Sequence, residues 1–230
     1  MFRLDNASKI YSRRGSEVRA LCAESLEIPA GSYVAIVGPS GSGKSTLLSM
    51  LGGMLSPTTG RVWLGNVSLY DLSVVERARL RREKIGFVFQ TFNLVPYLTA
   101  VENVQIPLCL SGMPSDDQFA HAAALLERVG LVERLNHRPC ELSIGQQQRV
   151  ALARTLANSP SIILADEPTG NLDAESRRVV LDFLDELHRD GSTIAMVTHD
   201  AVAAERATTW LHLQAGTLTA DAAIFPAEAA

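Results

Sequence analysis

The chain has 230 residues, 47% of them hydrophobic, which is enough apolar matter for an α/β core with an insertion or for two small lobes. A net charge of −4 gives no electrostatic footprint for nucleic acid. Three widely spaced cysteines, Cys22, Cys109 and Cys140, argue against a disulfide framework and for a reducing compartment.

Phe2 to Ile28 reads as strands broken by a turn at Ser12–Ser16, with Val18, Ala20 and Cys22 alternating. The opening residues lack the layout of a signal peptide, and no run reaches the ~18–20 apolar residues that span a bilayer. A soluble, cytoplasmic protein is expected, with any membrane part supplied by a partner.

Tyr33–Val37 is a short β-branched run that suits a buried strand, and Thr46–Leu51 suits a helix. Between them Gly38-Pro-Ser-Gly-Ser-Gly-Lys-Ser45 fits the phosphate-cradling pattern G-x-x-x-x-G-K-[ST], and Thr46 follows it. Strand, glycine loop and helix is the context the pattern needs. Gly38, Pro39, Ser40, Gly41, Ser42 and Gly43 would curl the backbone so that N–H groups converge on an anion at the positive end of a helix. Lys44 would reach the terminal phosphates, and the Ser45 hydroxyl would sit on Mg²⁺.

Ser56–Gly60 is a turn, Arg61–Leu64 a strand, Ser73–Glu83 a helix and Ile85–Phe89 a buried strand. The basic residues Arg77, Arg79, Arg81, Arg82 and Lys84 alternate with Glu76 and Glu83 and suit a solvated helix face. From Thr91 to Glu141 the texture changes to helices and Pro-punctuated loops, read as a helical lobe inserted in the core. Within it, Ser115 and Gln118 are expected to form a capping box opening a helix closed by Gly130. Strand–helix alternation then resumes. Ser161–Ala165 and Thr193–Val197 are strands around a helix over Ala174–Arg189, whose expected apolar face is Val179, Val180, Phe183, Leu184 and Leu187. This alternation implies a mainly parallel sheet covered by helices. The tail after Ala220 is short and Ala-rich.

A triphosphate site needs Mg²⁺ held from more than one side. Ile162-Ile-Leu-Ala-Asp-Glu167 supplies an apolar strand ending in two carboxylates, at the end of a parallel sheet where ligands bind. Asp166 would hold the ion through water, and Glu167 would face the attacking water as general base.

Leu142-Ser-Ile-Gly-Gln-Gln-Gln-Arg149 closely resembles the signature sequence of ABC-type ATPases, usually Leu-Ser-Gly-Gly-Gln. Other marks of that family follow in the expected order: Gln90 after Phe89, Gly170-Asn-Leu-Asp173 after the carboxylates, and His199 after Thr198. The resemblance implies one ATP-binding domain over residues 1–230. Its P-loop NTPase core has an antiparallel β subdomain (1–90 and 160–220 together), and residues 91–159 form a helical subdomain with the signature helix.

It further implies that Ser143, Gly145 and Gln146 bind the triphosphate held by a second copy of the chain. Within one chain, Ser143 and Gln146 also make a capping box. Asp173 either caps the helix from Ala174 or lies at the dimer seam. Gln90 either ends a strand as an ordinary polar residue or, by resemblance, contacts Mg²⁺ or the attacking water and links the core to the helical lobe. By resemblance His199 contacts the γ-phosphate and Tyr11 stacks on adenine, although an N-terminal aromatic can equally be packing. His121, His137, His188 and His212 form no metal-ligand spacing. Ile144 departs from the family's glycine, and either it has ordinary helix-start dihedrals or the loop is distorted.

Leu164–Asp173 and the runs Ile85–Gln90 and Leu98–Asn103 are similar to ATPases of lipoprotein-release, macrolide-export and antimicrobial-peptide systems, with a cell-division relative nearby. The resemblance implies an ATP-hydrolysing subunit that dimerises around two ATP and drives an integral membrane permease at the inner face of the membrane. A regulatory module that docks without moving substrate is the alternative. Phe92, Leu94, Val95, Pro96 and Tyr97 are read either as the permease docking stretch or as the lobe's own core.

Overall fold

The computed structural model describes residues 1–13 and 16–220. Two sheets carry the chain. The first is antiparallel, built from β1 (Phe2–Arg13), β2 (Ser16–Ile28), β4 (Thr59–Leu64) and β5 (Val67–Ser68) in the order β2-β1-β4-β5. The second holds β3 (Tyr33–Val37), β6 (Ile85–Val88), β7 (Ile162–Asp166), β8 (Thr193–Thr198), β9 (Thr209–Gln214) and β10 (Thr217–Ala220) in the order β10-β9-β3-β8-β7-β6. Its pairings are parallel except for β10 on β9. The centres of the turn expected at Ser12–Ser16, Arg14 and Gly15, lie outside the described residues, as does the tail after Ala220.

The parallel strands are apolar on both faces because both faces are covered. Side chains alternate along a strand, so Tyr33, Ala35, Ile163, Ala165, Ile194 and Met196 point into one core and Val34, Ile36, Ile162, Leu164, Ala195 and Val197 into the other. The second core is closed by α1 (Lys44–Leu51) and by Phe2, Leu4, Leu21 and Ile28 of the antiparallel sheet. On β2 Leu21 and Ile28 are buried, while Val18 is exposed.

The first core is closed by α3 (Ala100–Ser111), α4 (Ser115–Arg128), α5 (Ile144–Leu156) and α6 (Ala174–Arg189). The remaining helices are α2 (Val74–Lys84), which buries no residue, and the short α7 (Ala201–Ala204). Of the solvated basic face expected of α2, Arg79, Arg82 and Lys84 are exposed, whereas Arg77 and Arg81 are half-buried, donating to the Leu72 (3.3 Å) and Gly53 (3.1 Å) carbonyls.

Two expectations are corrected. Ser115 and Gln118 form no capping box: Ser115 is already the first helical residue after Pro114, and the Gln118 amide instead donates to the Met113 carbonyl at 2.8 Å. Proline suits a helix entry, where its missing N–H costs nothing. On α6 the buried stripe is Val180, Leu181, Phe183, Leu184 and Leu187, and Val179 is exposed. Val179 and Leu181 flank opposite edges of that stripe, and packing selects Leu181.

Inside the helical lobe Asn103 is fully buried. Its side-chain amide donates to the carbonyls of Val95 (3.2 Å), Leu98 (3.1 Å) and Thr99 (2.9 Å) and accepts from the Val95 N–H (2.8 Å). One side chain thus satisfies the Val95 N–H and the Leu98 carbonyl and adds to the bonds that the Val95 and Thr99 carbonyls accept from the Leu98 and Asn103 N–H groups.

Candidate nucleotide site

The first helical amides of α1 have no intrahelical acceptor, and Gly43 before them has no side chain to cap them. These N–H groups are left to a ligand. Gly43 has φ +107°, and a Cβ there would meet the Ala20 carbonyl at 2.0 Å, so the loop is folded tightly against β2. Lys44 is buried, its amine donating to the carbonyls of Gly38 (2.8 Å) and Pro39 (2.9 Å) at the centre of the loop.

The C-terminal ends of β3, β6, β7 and β8 converge on this loop and enclose a cleft of about 550 Å³. Of the residues singled out from sequence, Gly38, Pro39, Ser40, Gly41, Gly43, Lys44, Ser45, Thr46, Gln90, Asp166, Glu167 and His199 line it. Ser42 sits just behind, buried, and shapes the loop through its N–H to the Pro39 carbonyl (3.2 Å). Ala20 and Val197, unremarkable in sequence, also line the cleft. Only packing of the antiparallel sheet brings Ala20 there.

Asp166 accepts from the Ser45 hydroxyl at 3.1 Å across the cleft. Burial pushes its carboxyl above the usual aspartate range, against the Ser45 hydrogen bond; Glu167 pushes the same way and Lys44 opposes. A folded-state value above the unfolded one means that ionised Asp166 destabilises the fold, a penalty present at neutral pH and relieved as pH falls through the raised value. Asp166→Asn is therefore expected to hold or raise the melting temperature by a few degrees while removing an oxygen suited to a cation; differential scanning calorimetry of the ligand-free chain checks this.

Glu167 follows β7 with φ +48°, an unusual conformation for a residue with a side chain. Its carboxylate accepts from His199 Nδ1 (2.7 Å), the His199 N–H (3.3 Å) and the Thr198 hydroxyl (3.3 Å). His199 thus holds Glu167 in place here, in addition to lining the cleft where a γ-phosphate contact was expected. Thr198 was not singled out from sequence, because a threonine ending a strand carries no signal of its own.

Tyr11 stands at the edge of this region, its hydroxyl 3.5 Å from the Thr46 hydroxyl and its ring 5.5 Å from the Lys9 amine. It does not line the cleft, but its exposed ring leaves a face open beside the loop.

Ser143, Gly145, Gln146 and Asp173 are not in this cleft. They form a second cluster at the starts of α5 and α6. Ser143 Oγ accepts from the Gln146 N–H (3.2 Å), and Gln146 Oε1 accepts from the Ser143 N–H (2.9 Å). Asp173 caps α6 by accepting from the Ser176 N–H and hydroxyl (2.9 Å each), which hold its carboxyl below the usual range. A Cβ on Gly145 would lie 2.2 Å from Ser176 Oγ, so the two helix starts touch. Ile144 is the first residue of α5, with no left-handed dihedral and its side chain exposed. The ordinary helix-start alternative is the one observed.

Residues 22–170 match the family model described as ABC transporter. The chain belongs to the ABC transporter family. It is 47% identical over 208 residues to an ABC transporter ATP-binding protein of Thermotoga maritima, covering 90% of this chain and 89% of that one. It is 45% identical over 221 residues to the macrolide export ATP-binding/permease protein MacB of Hyphomonas neptunium, covering 96% of this chain but 34% of that one. The chain therefore spans about a third of the length of its macrolide-export relatives. Its fold matches a solved dimeric structure of the ATP-binding cassette MJ0796 bound to ADP and Pi, with a TM-score of 0.89, 42% identity, and 96% and 98% of the two chains covered. As an ABC transporter ATP-binding cassette, the chain is an ATPase of α/β fold, as the sequence motifs led one to expect.

Proposed function

We propose that two copies of this cassette close head to tail around two ATP, and that the closure drives a permease for export or mechanical work. The observation that carries this reading is the separation of the two clusters: Lys44, Asp166 and Glu167 share one cleft, while Ser143 and Gly145 lie outside it on a different helix start. That the solved relative is a dimer bound to ADP and Pi supports a paired cassette.

In this reading Lys44 and the α1 amides bind the β- and γ-phosphates, and Ser143 with the Gly145 N–H of the second copy completes the γ-phosphate shell. Tyr11 packs beside the adenine, and Asp173 faces the opposing glycine loop. Ser45, Gln90 and Asp166 offer an all-oxygen donor set that fits Mg²⁺, which keeps much of its own water. Among the described residues no group of three or more His, Cys, Asp or Glu could hold a metal, in keeping with a site completed by phosphate oxygens. Bound there, the ion would offset phosphate charge during transfer. Glu167, held by His199 and Thr198, takes the proton of the attacking water.

The test is complementation between two inactive chains. Ser143→Arg alone and Lys44→Ala alone are each expected to lower hydrolysis by roughly 10²-fold. Mixed, they form one site with Lys44 from one copy and Ser143 from the other, and activity should rise well above either parent. Mixtures no more active than the parents would contradict the shared site.

Among the described residues no helix is long and apolar enough to cross a membrane, so we infer an association with the inner face of the membrane through the permease. The docking surface we propose is an apolar groove of about 380 Å³ between the core and the helical lobe, floored by Phe87 and Phe89 and walled by Ile106, Pro107 and Leu110. Phe92 and Leu94 are packed against the core shared by the sheet and helices α3–α6, whereas Tyr97 is 77% exposed. The packing of Phe92 and Leu94 supports a core role for those two residues, and the exposure of Tyr97 leaves it available to a partner. Leu110→Asp in the groove and Tyr97→Asp in the exposed stretch are each expected to cut co-purification of the permease at least about tenfold with ATPase activity of the isolated chain retained; unchanged capture by Leu110→Asp would exclude the groove, and by Tyr97→Asp the stretch.

A further inference from the structure

We propose that Gln148 is a positioning residue for Glu167, making hydrolysis at one nucleotide conditional on how the signature helix engages the other. The inference rests on the shared-site reading above. Gln148 lies on α5, five residues after Ser143, and is fully buried. Its amide Nε2 donates at 2.8 Å to the carbonyl of Pro168, the residue after Glu167.

The segment it grips is a tight reversal. The Gly170 N–H donates to the Glu167 carbonyl at 3.1 Å, closing a turn with Pro168 at its second position, where the fixed proline φ fits. Glu167 itself holds the left-handed φ of +48°. A residue with a side chain stays in that region only when its surroundings over-determine it. Beside the side-chain bonds from His199 and Thr198, the backbone here is restrained by the Glu167 N–H on the Val197 carbonyl (2.9 Å), the turn bond, and Gln148. Pro168 has no N–H, so its carbonyl is its only polar handle, and α5 holds that handle.

The other half of the Gln148 amide argues against a purely structural strut. Gln148 Oε1 is buried with no hydrogen-bond partner, and so is the neighbouring turn's Thr169 Oγ1. Buried polar atoms are rarely left unpaired, and the exceptions collect where function rather than stability is served. Ser143 and Gln148 are joined by a little more than one turn of rigid helix, about 7.5 Å at 1.5 Å per residue. A displacement of the α5 start on meeting phosphate from the second copy would therefore reach the Pro168 carbonyl, and with it the Glu167 backbone.

Gln148→Met keeps the volume and removes both donor and orphan acceptor; Gln148→Leu is the second variant. In the full chain, the expected result is a kcat reduced about tenfold or more, with ATP affinity within about twofold and the melting temperature still showing a folded chain. On a Glu167→Gln background the same substitution should cause no further loss of residual turnover, because it acts through Glu167. An equal fractional loss on both backgrounds, or failure of both variants to fold, would overturn the proposal in favour of a strut. Full turnover by Gln148→Met beside an inactive Glu167→Gln overturns it alone. Full turnover by Glu167→Gln would overturn the base assignment, and the proposal with it.

Discussion

Glu167→Gln is expected to retain ATP binding, to lose roughly 10²–10⁴-fold in hydrolysis, and to accumulate as an ATP-bound dimer. The amide keeps the size of the carboxylate and can still hydrogen-bond the His199 N–H and Thr198 through its oxygen, so the loop geometry survives. What it lacks is a site for the proton of the attacking water. A closed dimer that cannot hydrolyse has no route to reopen through product release, and size-exclusion chromatography with ATP and Mg²⁺ should show the doubled mass. A variant with full turnover, or one that stays monomeric at saturating ATP, would remove Glu167 from the role of base.

Gly43→Ala is expected to weaken nucleotide binding roughly 10²-fold while leaving most of the fold intact. The Cβ would sit 2.0 Å from the Ala20 carbonyl, a backbone atom with little freedom to move, and at φ +107° an alanine is strained whatever the space. Relief must come from the loop and the start of α1, which turns the unpaired amides away from the phosphates. Losing two charge-assisted hydrogen bonds of about 1.5 kcal/mol each lowers affinity by roughly 10²-fold. Fluorescent-nucleotide titration measures the affinity, and circular dichroism checks that helix content is kept. Binding within a few-fold of the parent would mean that the loop adapts and that its glycine is not a steric requirement.

Much of this architecture was legible in the sequence because its local signals agree. Tyr33–Val37 and Ala174–Arg189 were bounded correctly because a β-branched run before glycines and a 3.6-residue stripe ending at Asp190-Gly191 each leave one reading. Ser115 misled because a capping box and a first-turn serine differ only in where the preceding proline puts the helix start. The phosphate loop and the Asp166–Glu167 pair were legible for the same reason: their chemistry is carried by adjacent residues. The contributions of Ala20, Thr198 and Gln148 were not, since each depends on a contact between elements far apart in the chain. A period or a motif cannot encode such contacts.

Asn103 has a mechanical consequence. Because one side chain ties the backbone at Val95, Leu98 and Thr99 to the first turn of α3, that corner resists bending. Arg154 clamps the preceding carbonyls of Phe92 and Asn93 at 2.6 Å each. If the proposed permease docks at Tyr97, thrust delivered there would be passed along α3 with little lost to compliance, as a handle fixed to a shaft.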